Sequence, residues 1–282
     1  MPLIPISDST FITRHGAGTL PPPTQVRARA GADADNRRPR PVIFRDLGLV
    51  VKFGQDVTEI EAKTQQFVHK ELQGTVPVPE VYGWEVDIKR GETYIYMALV
   101  AGNTLAAEWG NMTQKHKEVL CNQLRTMWWA WRHLQHPHPQ VTGHYIGTLT
   151  RQPVRDVHLV ENGKTIGPLD GDAAVGTFNN RCEIDLPTAS AETVFTHDDI
   201  NVFNIMVARE ATGPKVVAVL DWAQSGWYPE YWESCKAFST RLHPNKFSTE
   251  LMDDWMLWLP QVLTQPNKVQ RDKFSVFVSR HI

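Results

Sequence analysis

Two stretches constrain this chain more than any others: Val194-Phe-Thr-His-Asp-Asp-Ile-Asn-Val-Phe-Asn-Ile-Met-Val207 and the apolar run Val216-Val-Ala-Val-Leu-Asp-Trp222. The first puts His197, Asp199 and Asn204 into one short polar loop that follows an apolar strand. The second reads as a buried strand that delivers another carboxylate, Asp221, at its end. Only a fold that brings a strand end back beside that loop makes use of both.

The spacing H-x-D-x-x-x-x-N, followed by a strand ending in Asp, is the pattern in which kinase-type enzymes hold a base and magnesium ligands around a nucleotide. Phosphoryl transfer needs few protein groups. A carboxylate positions and deprotonates the acceptor hydroxyl, oxygen ligands hold Mg²⁺, and a lysine steadies the non-transferred phosphates. Asp199 is read as the base, because its five-residue interval to Asn204 distinguishes it from Asp198. Asn204 and Asp221 are read as the metal ligands. His197 joins the catalytic group as the residue that orients the loop by hydrogen bonding.

The region before this segment is β-rich. Val42-Ile-Phe44 and Leu49-Val-Val-Lys-Phe53 flank the turn Arg45-Asp-Leu-Gly48, a hairpin signal. Alone, Lys52 reads as a surface lysine on an edge strand. The next element changes that reading. A helix is expected over 56–72, opened by a capping box of Asp56 and Glu59. At about 100° per residue, Glu61 falls in the apolar arc with Ile60, Phe67 and Val68, whereas Glu59 falls outside it. A carboxylate on a buried face needs a partner, and Lys52 supplies one. Further strands are expected at 81–84 and 94–100, with Ala101-Gly102 ending the second. Helices are expected over 113–135 and 248–263. Residues 136–190 read as loop-dominated with short helices, and residues 1–41, with Pro21-Pro-Pro23 and Asn36-Arg-Arg-Pro-Arg-Pro41, as an irregular arm. No glycine-rich G-x-G-x-x-G loop precedes Lys52, so any cover for phosphates there must use another backbone arrangement.

The resulting expectation is an α+β, two-lobed, protein-kinase-like fold: an N-terminal arm (1–41), a small β-rich N-lobe (42–101) and a larger, mainly helical C-lobe (102–282). The near balance of 29 basic and 31 acidic residues gives no argument for nucleic acid or an anionic membrane as a partner. No apolar run approaches the roughly 20 residues that span a bilayer. The start of the chain lacks a basic segment followed by a continuous apolar one, so no secretion signal is expected. Cys121, Cys182 and Cys235 are odd in number and widely spaced, which reads as free thiols in a reducing, cytoplasmic setting.

These residues resemble the aminoglycoside phosphotransferase/choline kinase-like family, especially its short fungal members. The resemblance runs over most of 40–240. It rests on Pro41-Val-Ile-Phe-Arg-Asp-Leu-Gly-Leu-Val-Val-Lys-Phe-Gly54, Val76-Pro-Val-Pro-Glu-Val-Tyr82, the catalytic segment, Leu220-Asp-Trp222 and Gly226-Trp-Tyr-Pro-Glu-Tyr-Trp-Glu233. It implies an ATP- or GTP- and Mg²⁺-dependent transfer of a γ-phosphate to a hydroxyl of a small molecule, by a monomer or weak dimer. It implies Asp199 as base, Asn204 and Asp221 on magnesium, Lys52 and Glu61 as the nucleotide-lobe ion pair, and backbone groups of Ala98 and Val100 facing the adenine in a hinge over 97–102. The family's acidic acceptor groove points to Asp170, Asp172, Glu183, Glu230 and Glu233. Trp227, Tyr228, Tyr231 and Trp232 leave two readings open, an aromatic acceptor pocket or core packing. Asp198 stands where the family usually has glycine, and a proline common near Val202 is missing. An extra carboxylate beside the base is expected to raise its pKa. The alternatives to a kinase are a nucleotide-binding or regulatory relative with weak transfer, and the fold reused for other small-molecule chemistry.

Overall fold

The computed structural model of the chain describes residues 2–141, 143–161, 163–187, 192–239 and 248–280. Parts of the loop-rich stretch read over 136–190, namely 142, 162 and 188–190, lie outside these. The chain divides into two compact units, one of residues 1–73 and 77–101, the other of 74–76 and 102–282.

The first unit is built on an antiparallel five-stranded sheet in the order β1-β4-β5-β3-β2, from β1 (Ile4–Pro5), β2 (Val42–Phe44), β3 (Leu49–Gly54), β4 (Val81–Asp87) and β5 (Glu92–Ala98). The β2–β3 hairpin closes through Arg45–Leu47 and Gly48, whose left-handed φ of 59° suits glycine. The two-residue period of β3 decides its chemistry. Leu49, Val51 and Phe53 are fully buried on one face. Lys52 therefore shares the opposite face with Val50 and pairs in register with Ile95.

Residues 1–41 are not the irregular arm expected from their prolines. Helices α1 (Thr10–His15) and α2 (Pro23–Ala30) form there. Pro23 sits at the helix start, where its missing N–H costs nothing. Phe11, Leu20, Val26 and Ala34 are buried against Leu49, Val51, Phe53, Tyr94 and Tyr96. That burial organises a segment whose local sequence reads as loop. Arg27 adds an ion pair to Glu92 at 2.5 Å.

Helix α3 (Glu59–Glu71) starts later than expected. Its N-cap is Thr58, whose hydroxyl accepts from Glu61 N, rather than Asp56. Asp56 is drawn away by Arg37 at 2.5 Å and Arg38 at 3.1 Å. Glu61, Gln65 and Val68 face inward.

The second unit is mainly helical. It contains β6 (Asn103–Thr104), α4 (Leu105–Glu108), α5 (Gln114–Arg132), β7 (Tyr145–Ile146), α6 (Val157–Val160), β8 (Leu169–Asp170), α7 (Ala174–Cys182), β9 (Thr193–Thr196), β10 (Ile205–Glu210), β11 (Gly213–Val219), β12 (Gly226–Pro229), α8 (Trp232–Ser239), α9 (Thr249–Val262) and α10 (Lys268–Ser279). Its small sheets run β11-β10-β6, β12-β9 and β7-β8. Gly102 opens it at φ 137°, and a Cβ there would meet Val207 O at 2.5 Å. Helix α5 buries Leu120, Leu124, Met127, Trp128 and Trp131 along one side. A core of α7, α8, α10 and β12 side chains, with Tyr231 from the turn between β12 and α8, includes Phe178, Tyr228, Trp232, Phe274 and Phe277. Among the described residues, no helix is long and apolar enough to cross a membrane.

Candidate functional site

In the first unit, the turn of α3 that buries Glu61 faces the side of β3 that carries Lys52. Lys52 Nζ lies 2.6 Å from Glu61 Oε1, with the Glu61 side chain 1% exposed. The expected ion pair is present in this unit. Ala98 N–H, expected to face an adenine, already donates to Glu80 O at 2.9 Å, and Leu99 N–H donates to Gly48 O at 2.9 Å. That narrows the expected adenine contact, because the strand edge consumes the Ala98 donor. Val100 follows, partly buried, just beyond the end of β5.

In the second unit, β9 leads directly into His197, and β10 and β11 form the hairpin that carries Asn204 and Asp221 at its base. Leu220 ties these together. Its N–H donates to Asn204 O at 2.8 Å, and its carbonyl accepts from His197 Nε2 at 2.9 Å. The same imidazole accepts at Nδ1 from Asp199 N–H, 3.1 Å away. The two bonds fix one neutral tautomer, with the proton on Nε2. Buried between Trp131 and Trp222, His197 acts as a spacer between the Asp199 loop and the strand end at Asp221.

The Asp199 carboxylate is held from both sides. Asn201 Nδ2 donates to Oδ1 at 3.1 Å, and Asn204 Nδ2 donates to Oδ2 at 3.0 Å. A carboxylate only accepts, so Asn204 must present its nitrogen here, which leaves its carbonyl oxygen on the other side of the amide. Burial, followed by the charge of Asp221, pushes Asp199 above the ordinary carboxylate value. Asp221 adopts a left-handed φ of 64° just past β11. The donor set of an amide oxygen and a carboxylate is all oxygen, as magnesium prefers, and few enough to leave positions for water and phosphate oxygens. Among the described residues no group of three or more His, Cys, Asp or Glu is arranged to hold a metal by itself.

Asp198 does not act as the expected neighbour of the base. At φ 68° its side chain turns away from the loop into the protein, where it is fully buried. Lys236 Nζ sits 3.2 Å from Asp198 Oδ2, 2.7 Å from Asp156 Oδ2 and 2.8 Å from Gln224 Oε1. Burial pushes Asp198 well above the ordinary value; Lys236 opposes the shift and Asp156 adds to it. Burial also works against the Asp156 carboxylate, but Lys236, His158 and the hydrogen bond from Asp198 together outweigh it, and Asp156 stays below the ordinary value. Asp156 further accepts from His158 N–H at 2.8 Å and Trp232 Nε1 at 3.1 Å. The cluster thus sets one cation between two buried carboxyl groups, with burial raising the proton affinity of Asp198 while Asp156 stays below the ordinary value.

Glu233, expected among acceptor-groove acids, is instead a buried anchor. Oε1 accepts from Asp198 N–H at 3.0 Å, and Oε2 accepts from Trp128 Nε1 at 2.9 Å and Trp131 Nε1 at 3.2 Å. Of the other acids, Asp170 pairs with Arg151, and Glu183 with Lys164 and Arg280. Asp172 and Glu230 are exposed. The aromatic run is core: Trp227, Tyr228, Tyr231 and Trp232 are all buried. All three cysteines are buried and free, and burial raises the thiols of Cys121 and Cys235 to about 12, so they are unreactive.

Asp156, Leu220, Gln224 and Lys236 were not expected as site residues. A signal existed for Lys236 and Glu233: α8 reads Trp-Glu-Ser-Cys-Lys-Ala-Phe, and two charges inside such an apolar helix require partners.

A model of the phosphotransferase enzyme family matches residues 42–249 of the chain. No curated protein sequence matches it. Among solved structures, the chain is similar to the apo form of a thermostable mutant of aminoglycoside phosphotransferase APH(4)-Ia. The two are 12% identical over 82% of this chain and 76% of that one, with a TM-score of 0.51, which shows a shared kinase-like fold. The GDP complex of wild-type aminoglycoside 2'-phosphotransferase-IIIa is 12% identical over 86% and 80%, with a TM-score of 0.49. The streptomycin–ATP ternary complex of APH(2")-IIa is 13% identical over 82% and 77%, with a TM-score of 0.47.

Proposed function

The chain belongs to the phosphotransferase enzyme family, and from that premise we propose that it transfers the γ-phosphate of ATP or GTP to a hydroxyl of a small molecule, with Asp199 as base. The observation that supports the proposal is the hydrogen-bonded unit of His197, Asp199, Asn204 and Leu220, which holds a clamped carboxylate at the end of the β10–β11 hairpin from which Asn204 and Asp221 extend.

In this reading Asp199 orients the acceptor hydroxyl and takes its proton as the oxygen bonds to the γ-phosphorus. The bond from that phosphorus to the bridging oxygen breaks, and the nucleoside diphosphate leaves. Asn204 Oδ1 and Asp221 would hold magnesium, whose charge offsets that of the phosphate oxygens. Lys52, fixed by Glu61, would steady the non-transferred phosphates. His197 keeps the base and the metal-side carboxylate in register and moves no proton. Asp198 gives no support to the reading as a weak kinase relative, because its side chain is directed at Lys236 and away from the base. Free buried thiols fit a reducing cytoplasm, and we propose that location for a monomer or weak dimer.

The test is Asp199→Asn. Transfer should fall by a factor of at least about 10³, while Mg-ATP still raises the melting temperature. Near-normal transfer by this variant would refute the assignment.

A further inference from the structure

The first unit has no glycine-rich loop ahead of Lys52, but it has the segment Asn36-Arg-Arg-Pro-Arg-Pro41 directly before β2. β2 pairs with β3 through Val42↔Val51, Ile43↔Val50 and Phe44↔Leu49. Carried backward, that register sets Pro41 beside Lys52, Pro39 beside Gly54 and Arg37 beside Asp56. Pro39 and Pro41 lack the N–H that a ladder needs, so β2 begins only at Val42, yet the chain keeps its course. A Cβ at Gly54 would meet Arg37 O at 2.5 Å and Pro39 Cδ at 2.8 Å, and Asp56 N–H donates to Arg37 O at 3.3 Å. The segment thus lies along the end of the strand that carries Lys52 and beside the start of the connection to α3, which carries Glu61.

Two guanidinium groups of this segment share one carboxylate. Arg37 Nη2 lies 2.5 Å from Asp56 Oδ1, and Arg38 Nε lies 3.1 Å from Asp56 Oδ2, with the arginine side chains 72% and 67% exposed. The other acids nearby are engaged locally. Asp33 accepts from Asn36 Nδ2 and from Arg40 N–H, each at 2.6 Å. Asp35 pairs with Arg27 at 2.6 Å, and Glu59 with Lys63 at 3.3 Å.

Exposed ion pairs are weak and exchange readily. A phosphate chain offers a guanidinium paired oxygens in the planar fork geometry that it binds best. A glycine-rich loop covers phosphates with backbone; here two prolines remove backbone donors and three arginines supply side-chain ones. We propose that residues 36–41 stand in for the glycine-rich loop, and that Arg37 and Arg38 exchange Asp56 for phosphate oxygens of the bound nucleotide beyond those that Lys52 reaches. This rests on the kinase reading above and deepens its nucleotide half.

The experiment is calorimetric titration of the full chain with Mg-ATP, Mg-ADP and AMP, with melting temperatures as the check on folding. The double variant Arg37→Ala/Arg38→Ala should bind Mg-ATP about tenfold or more weakly than wild type, Mg-ADP less so, and AMP within about twofold. Arg37→Lys/Arg38→Lys, which keeps the charge and loses the fork, should fall between the double alanine variant and wild type. Asp56→Asn frees both arginines and should bind Mg-ATP at least as tightly as wild type. If the arginines only clamp the segment through Asp56, Asp56→Asn and the double alanine variant would weaken Mg-ATP alike, and AMP would weaken with it. That result, or unchanged Mg-ATP affinity in the double alanine variant, would overturn the inference and leave the kinase reading intact. A wild-type chain that binds no Mg-ATP would remove the kinase reading and the inference with it.

Discussion

Replacing Lys236 with Met tests the buried cluster behind the catalytic loop. The methionine keeps most of the side-chain volume and removes the cation that sits 2.7 Å from Asp156 and 3.2 Å from Asp198. Burial already disfavours the charged form of Asp198 whereas Asp156 is held below the ordinary value, so the charge that loses its partner is that of Asp156. Breaking a buried pair by removing one partner costs about 3–5 kcal/mol. The structure also sets a ceiling, because Asp156 can escape by taking up a proton. Neutralising a group of ordinary pKa about 3.9 at pH 7 costs roughly 3 pH units times 1.4 kcal/mol, or about 4 kcal/mol. The sign follows directly. In the variant the folded-state pKa of Asp156 is raised above its unfolded value. Its stability contribution is then full below about pH 4 and is lost as pH rises through the folded pKa. The deficit relative to wild type should therefore be near 4 kcal/mol at pH 7 and shrink by about 1.4 kcal/mol for each unit toward pH 4. Urea unfolding followed by tryptophan fluorescence reports this, because every tryptophan except Trp84 lies in the second unit. A deficit under about 1 kcal/mol at pH 7, or one that does not vary with pH, would refute the charge assignment.

Two shorter predictions concern the first unit. Glu61→Gln removes the charge that fixes Lys52 at 2.6 Å and should raise KM for ATP roughly tenfold; steady-state kinetics showing unchanged KM and kcat would contradict the role given to the pair. Thr58→Ala should cost about 1 kcal/mol by loss of the α3 cap, whereas Asp56→Ala should cost well under about 1 kcal/mol, its ion pairs being exposed. Chemical denaturation of both variants distinguishes the true cap from the one that sequence spacing favours.

The elements that were legible in the sequence are those whose pattern is local. The alternation of Leu49, Val51 and Phe53 against Val50 and Lys52 locates a strand and its lysine face, and the position of Glu61 in the apolar arc of a helix supplies the partner. The interval from Asp199 to Asn204 singles out the base. The failures share a cause, which is that long-range contacts outweigh local signals. Asp56 has the spacing of a capping box, but Arg37 and Arg38 take its carboxylate. The proline-rich start folds because Phe11, Leu20 and Val26 find a sheet face made by residues far along the chain. Glu233 reads as a free acid until Trp128 and Trp131, more than a hundred positions earlier, donate to it. The Ala98 N–H reads as available until Glu80 is seen to accept it.

Asp198 shows how a departure from the family's usual residue is accommodated. Glycine reaches a left-handed φ at little cost, and an L residue pays a penalty there of about 1–3 kcal/mol. At Asp198 the surrounding structure holds that conformation from two directions. Glu233 binds the backbone N–H, and Lys236, three residues on and on the same face of α8, approaches the side chain. The side chain thus occupies a buried place that glycine would leave empty, and its carboxyl group is directed at Lys236 instead of at the base. What reaches Asp199 from this cluster is the field of Lys236, which lowers its pKa, set against burial and Asp221, which raise it. The substitution beside the base therefore belongs to the architecture of α8 and the loop it grips, and the proton affinity of Asp199 is raised first by its burial and then by Asp221.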